Sequence, residues 1–325
     1  MIGSRVGSPS ARLLLLLSCA ALPGALGLRA QTHSAAPSAD AGLHHAVQLA
    51  EAGRCAQALP LIERALPRVT DKPLRLQAQM AAMRCAMAVG DDQLAAETLF
   101  LMQRENPGNP QILYWETHTF SELAMRSAQE LAAKFPDSYQ AQELQAEGLE
   151  SQGKEEDAAA IYRSILAAHP QLPGIHYRLG QIALDQAGDS GPTDQAREEF
   201  EKELAIDPSN ASAEFILGEL ARRKADWDTA VQHFTRASQL DVGFSEAYLA
   251  LGMSLAAQGK FAQAKPPLQH YVQLEPDDPA GHYQLAIADA RTGDSAGAQQ
   301  QMTLQAQAAA RNPSTDTTAG HPIHP

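Results

Sequence analysis

Residues 211–244 read ASAEFILGELARRKADWDTAVQHFTRASQLDVGF, and the stretches that follow answer them slot by slot at a spacing of 34. Leu217-Gly218 returns as Leu251-Gly252 and Leu285-Ala286, Ala230 as Ala264 and Ala298, and Phe234 as Leu268 and Met302. A unit of this length is one supersecondary element that cannot bury its own apolar face, so stacked neighbours must supply a continuous core. Function is then expected on an extended surface rather than in a pocket closed by distant loops.

Working outward, the phase slips once. Gly180 to Gly218 spans 38 residues, as does Ala158 to Ala196, and the surplus falls in residues 188–192, Gly-Asp-Ser-Gly-Pro, a turn-rich run that a surface loop absorbs at small entropic cost. Prolines at 107, 136, 170, 208 and 276 mark unit ends, because proline lacks the N–H that would extend a helix. Ala58 and Ala95 fit the small slot upstream, with Gly53 and Gly90 at inter-helix turns. Between Ile112 and Lys134 there is neither Gly nor Pro, which predicts one nearly continuous long helix or a tightly collapsed pair over 111–134. Ala, Leu, Gln and Glu dominate, and apolar residues never alternate for long, so the chain reads as all-α.

The slots themselves, an apolar-Leu-Gly on a first helix, a small residue early on a second, an aromatic four further on and a closing Pro, resemble the tetratricopeptide-repeat (TPR) family. That resemblance implies a right-handed α-solenoid of helix-turn-helix repeats. We place units at 41–72, 73–109, 110–138, 139–172, 173–210, 211–244, 245–278 and 279–311, eight in all with two degenerate, in one solenoid over 41–311.

The N-terminus is different in kind. Arg5 and Arg12 precede five leucines at 13–17, and small residues follow, which reads as a secretory signal over 1–30 cleaved near Gly27 or Ala30. The apolar run is too short for a comfortable membrane span. An alternative reading uses Cys19, since Leu16-Leu17-Ser18-Cys19 resembles a lipobox, with lipidation as the one route to membrane contact. Either way the chain is expected to be exported, to the periplasm or another extracytoplasmic place. Loss of residues 1–30 removes three Arg and no acid, moving the formal charge from −13 to −16. So acidic a surface repels phosphate backbones, which argues against nucleic-acid binding. Residues 31–40 and 312–325 are polar and Pro- or Thr-bearing, and read as a disordered linker and tail.

Cys55 and Cys85 lie on antiparallel neighbours in the helix-pair scheme, which allows a disulfide in an oxidising compartment, while two small buried residues is the plainer alternative. His44-His45 and the tail pair His321 and His324 lack zinc-site spacing, so no metal or cofactor is expected. His176 and His282 occupy equivalent first-helix slots and read as packing residues. No nucleophile elbow, phosphate loop or His-Glu-x-x-His occurs, so no catalytic residue is assigned and the chain reads as no enzyme.

The TPR resemblance implies a protein or peptide ligand held in a concave groove lined by first helices. On one helical wheel, Tyr177, Phe215, Leu249 and Tyr283 share a position, with Gln181, Glu219, Met253 and Ile287 one turn later. Arg222, Arg223 and Arg291 add positive charge beside this row, whereas Glu143, Glu147 and Glu150 make an acidic face in the unit at 139–172. Aromatic anchors within a polar rim suit a binding stripe, and packing between adjacent first helices is the competing assignment. The Lys and Asn pattern by which some family members clamp a terminal carboxylate is missing. The expectation is a scaffold in the cell envelope that binds a protein or an extended segment of one. The alternative is a membrane-anchored component of an envelope secretion or polysaccharide-export machine.

Overall fold

A computed structural model describes residues 39–187 and 194–311. The signal region, Cys19, the 188–192 insertion and the His321/His324 tail lie outside the described residues. Within them every regular element is helical: α1 (Ala39–Glu51), α2 (Cys55–Ala65) with a short 3-10 turn at Leu66–Arg68, α3 (Lys72–Val89), α4 (Asp92–Glu105), α5 (Pro110–Lys134), α6 (Tyr139–Glu150), α7 (Glu155–Ala168), α8 (Ile175–Ala187), α9 (Asp194–Ile206), α10 (Ala211–Arg223), α11 (Trp227–Leu240), α12 (Ser245–Ala257), α13 (Phe261–Leu274), α14 (Pro279–Arg291) and α15 (Ser295–Arg311). The helices pair consecutively, α1 with α2, α3 with α4, and then α6 with α7 through α14 with α15. Where a pair was open between two readings, α5 runs as one 25-residue helix. The chain divides into two compact units, with the boundary between Leu123 and Ala124 inside α5.

In the first unit, Leu43, Val47, Ile62, Leu74 and Ala78 form a buried cluster at α1–α3. A second cluster joins Met83 of α3, Leu99 and Met102 of α4 and Ile112 of α5.

The second unit shows why the small slot is small. A Cβ added to Gly180 would lie 2.8 Å from the Phe200 ring, one on Gly218 would lie 2.6 Å from Phe234, and one on Gly252 would lie 2.4 Å from Leu268. Each glycine lets the second helix of its pair press a large side chain against first-helix backbone, and Phe200, Phe234 and Leu268 are fully buried as a result.

The turns repeat as faithfully as the core. Gly53, Gly90, Gly153, Gly259 and Gly293 adopt left-handed φ of 70° to 85°, and the same place between α10 and α11 is taken by Ala225, with φ of 56°. In that turn Ala225 N donates to Arg222 O (2.9 Å) and Asp226 N to Ala221 O (3.0 Å), the pattern also made by Gly259 and Lys260. Helix starts are capped by side chains, with Asp71 accepting from Leu74 N, Asn210 from Ala213 N and Asp226 from Thr229 N. The prolines at 107, 136, 170, 208 and 276 all sit in turns. Pro266 and Pro267 instead lie inside α13, where each removes an intrahelical donor. That helix continues to Leu274 with Ala264, Leu268 and Tyr271 buried along it, so packing overrides the local cost.

Candidate functional site

The first helices of the second unit carry the row read from the sequence, and the structure divides it. Tyr177 on α8 is half-buried with its ring edge-on to Phe200, 5.5 Å between centroids, and burial pushes its hydroxyl pKa up. Gln181 Nε2 donates to Tyr177 Oη at 3.4 Å. Phe215 on α10 sits between Phe234 (5.5 Å) and Phe244 (4.9 Å), and Leu249 on α12 packs against the same core cluster. These three side chains finish the core while keeping part of their surface in solvent. Met253 and Tyr283 are 37% and 47% exposed, and Ile287 is half-buried.

The charges beside the row are also sorted by packing. Arg222, counted as a positive rim residue, is taken up by the buried Glu219 one turn earlier, with Nε at 2.9 Å and Nη2 at 2.6 Å from its carboxylate. Arg223 is exposed. Arg291 lies over the Phe261 ring at 5.5 Å, a cation–π arrangement.

At the other end of the second unit, Arg178 of α8 reaches back to α6, with Nη2 3.0 Å from Glu147 and Nη1 3.7 Å from Glu150. Desolvation first, and then the neighbouring Glu147 charge, hold the Glu143 carboxyl above the usual range. Desolvation raises Glu150 as well, against the opposing pull of Arg178.

Two elements that position this face were invisible in the sequence. Glu203 of α9 is fully buried and accepts from Gly174 N at 2.8 Å, Tyr177 N at 3.3 Å and Asn210 Nδ2 at 3.3 Å. A carboxylate at the positive end of a helix is favourable, and this one fixes the first turn of α8 and so the backbone of Tyr177. Polar pairs tie three of these first helices to their own second helices: His176 with Glu199 at 2.7 Å, Glu214 with His233 at 2.6 Å, and His282 with Gln301 at 2.7 Å. The histidine changes helix from one unit to the next, so its recurrence could not be seen as a ladder. His176 and His282 are thereby held within their own pairs.

The first unit has a first-helix face of its own that the weak repeat match there had hidden. A hollow of about 290 Å³ is lined by Met83, Arg84 and Met87 of α3 and Trp115, Thr119 and Glu122 of α5. Thr119 Oγ1 donates to Met83 Sδ at 3.5 Å across its floor. A second hollow, of about 390 Å³, adjoins Glu51, Cys55, Arg84 and Cys85. Cys55 and Cys85 are joined, with Sγ atoms 2.17 Å and Cα atoms 4.9 Å apart. His44 and His45 are both exposed on α1. Among the described residues no His, Cys, Asp and Glu cluster could hold a metal ion, and no helix is long and apolar enough to cross a membrane.

Among solved structures the chain is similar to the crystal structure of MamA, at 20% identity over 52% of this chain and 96% of that one, TM-score 0.46. It is similar also to MamA 41-end from Desulfovibrio magneticus RS-1, at 18% identity over 55% and 98%, TM-score 0.46. YrrB, a TPR protein with an unusual peptide-binding site, is 19% identical over 58% of this chain and 93% of that one, TM-score 0.47. No curated protein matches the sequence. The family model for the tetratricopeptide repeat matches residues 120–173 and 177–241. The helix pairs, the 34-residue ladder and that match together support a tetratricopeptide-repeat protein, with residues 120–173 and 177–241 matching the family itself.

Proposed function

We propose that the protein is a non-enzymatic scaffold that holds another protein, or an extended segment of one, against the first helices of its second unit, and that it works outside the cytoplasm. The repeat fold supports a protein–protein interaction scaffold. The observation that carries the finer reading is Tyr283, a large ring 47% exposed on α14, one helical turn before the half-buried Ile287. Met253 of α12 lies exposed at the position equivalent to Ile287. Exposed aromatic and Met side chains with half-buried neighbours are the composition from which interface anchors are built. Tyr177, Gln181, Phe215 and Leu249 continue the row, and Arg223 with Arg291 stands at its edge.

Partner binding is the test. Protein purified from its native envelope after cross-linking should carry a partner that Tyr283→Ala loses, with affinity weakened by about 1–3 kcal/mol and an unchanged melting curve. If Tyr283→Ala leaves capture intact, the second unit's row is not the binding face.

Export rests on the basic, apolar and small-residue run at 1–30. Intact mass of the protein from the envelope should show loss of at least residues 1–27. A chain beginning at a lipid-modified Cys19 favours the second reading, a membrane-anchored component of an envelope machine, for which the Leu16-Leu17-Ser18-Cys19 run is the motive. Full-length chain recovered in the cytoplasm overturns both.

A further inference from the structure

We propose that α5 pairs antiparallel with α5 of a second copy of this chain, each helix supplying the partner that the other lacks. This pairing does not rest on the peptide-binding reading above.

The motive is a missing turn. Elsewhere a unit's closing proline stands twelve residues after the small slot of its second helix, as Pro107 does after Ala95, Pro170 after Ala158, Pro208 after Ala196 and Pro276 after Ala264. Counted back in the same way, Pro136 lands on Ala124, inside α5. The first-helix slot stands seven residues after a helix start at Ala46, Ala146, Gly218, Gly252 and Ala286, which for α5 is Thr117. In those units twelve residues separate the two slots, whereas Thr117 and Ala124 are seven apart. The five that are lacking are a turn. Helix α5 is therefore a first and a second helix joined end to end, and a continuous helix cannot lay one half of itself on the other.

Both halves lack a cover as a result. The second-helix slots Ala58, Ala95, Ala158, Ala196, Ala230 and Ala264 are fully buried, and Ala124 is exposed. The first-helix slots Ala46, Ala146, Gly218, Gly252 and Ala286 are buried, and Thr117 is exposed. Of the 25 residues of α5, Ile112 and Thr119 alone are buried. Leu113 is 49% exposed, and Phe120 is half-buried beside Phe100, itself 55% exposed, with 5.7 Å between ring centroids. Phe120 also packs on the cluster of Met83, Leu99 and Met102, so a helix laid here continues an existing core.

The stripe is complementary to itself. Leu113, Thr117, Phe120, Ala124, Ser127 and Leu131 recur at alternating spacings of four and three and share one side of α5. Turned end for end about residue 122, the series maps onto itself. Leu113 then meets Leu131, Thr117 meets Ser127, and the large Phe120 meets the small Ala124, each twice by two-fold symmetry. Large on small is also how Phe234 packs on Gly218 within a regular pair. None of the six is charged, and two copies of a chain of formal charge −13 repel least where charge is absent. A helix of this length is about 37 Å long, and a strip one helix diameter wide covers about 800 Å² over the two copies. Phe100 widens the strip. That area is at the low end of specific interfaces, so the dimer forms and dissociates with concentration.

Sedimentation equilibrium of the full chain across about 1–100 µM, the range suited to an interface of this size, should show monomer and dimer in exchange. Ala124→Glu, at an exposed position, should raise the dimer dissociation constant at least tenfold. Ala133→Glu places the same charge at an exposed position on the opposite side of the helix and should change that constant less than twofold. Both variants should keep the melting temperature of the dilute chain. Register is read by mixing Thr117→Cys chains with Ser127→Cys chains without reductant, which should link position 117 of one copy to position 127 of the other. A monomer at every concentration, equal loss of dimer in both glutamate variants, or links only between like variants would each overturn the proposal.

Discussion

Gly218 presents its backbone to the ring of Phe234 so closely that a Cβ at 218 would sit 2.6 Å from Phe234 Cε1 and 2.7 Å from Cδ1. The ring is fully buried, and its neighbour Phe215 lies 5.5 Å away, so it has nowhere to retreat. Gly218→Leu should therefore separate α10 from α11 and cost about 1–3 kcal/mol through overpacking. Urea unfolding reads this directly, and an unchanged midpoint would remove the physical basis of the small slot.

Ala225 occupies a left-handed turn that glycine fills at the equivalent places, and a Cβ there meets its own backbone at a cost of about 1–2 kcal/mol. Ala225→Gly relieves that strain but loosens the unfolded chain by about 0.4–1 kcal/mol. The net expectation is a gain of up to about 1.6 kcal/mol, seen as a raised melting temperature. A lowered one would show that residue 225 is not held left-handed in solution.

The Cys55–Cys85 link closes a loop of 30 residues in sequence between α2 and α3. Non-reducing mass spectrometry of the purified protein should show two fewer protons and no free thiol. Loop-closure entropy puts its contribution at about 3–4 kcal/mol. Reduction should thus destabilise the first unit, followed by hydrogen exchange in α1–α3, and equal exchange before and after reduction would contradict it.

Arg75 and Glu105 join α3 to α4 with two parallel bonds, Nε to Oε2 at 2.9 Å and Nη2 to Oε1 at 2.8 Å, while Gln79 Nε2 donates to the same carboxylate at 2.8 Å. The Arg75 hydrogen bond, then the one from Gln79, hold the Glu105 pKa below its ordinary 4.5. A carboxyl depressed in the folded state adds stability that is fully present above its unfolded pKa and is lost as pH falls through the folded one. Between pH 7 and pH 3, Glu105→Gln should lose less stability than the parent chain. Parallel losses in the two proteins would show that the pair is not formed.

Helix class and unit phase were legible because they depend on local spacing. The Gly180, Gly218 and Gly252 ladder and the turns at Gly53, Gly90, Gly153, Gly259 and Gly293 need only the residue's own backbone requirement and a fixed period. Ala225 shows the limit of that reading, since it holds the turn that glycine fills elsewhere while its side chain alone argues against a left-handed φ. The 188–192 insertion, read as a loop, lies outside the described residues.

By itself the sequence determined the repeat, its 34-residue period and the positions that could face a partner, because periodicity along a helix dictates which residues share a side. Only tertiary structure decided what those positions do. It split one wheel position between the half-buried Tyr177 and the exposed Tyr283, since burial depends on which neighbouring helix is present to cover a ring. It joined Arg222 to Glu219 and Arg178 to Glu147, because ion pairing follows distance in space. It set Glu203 beneath the start of α8, 29 residues away from Gly174 in the chain, a contact that no local pattern encodes.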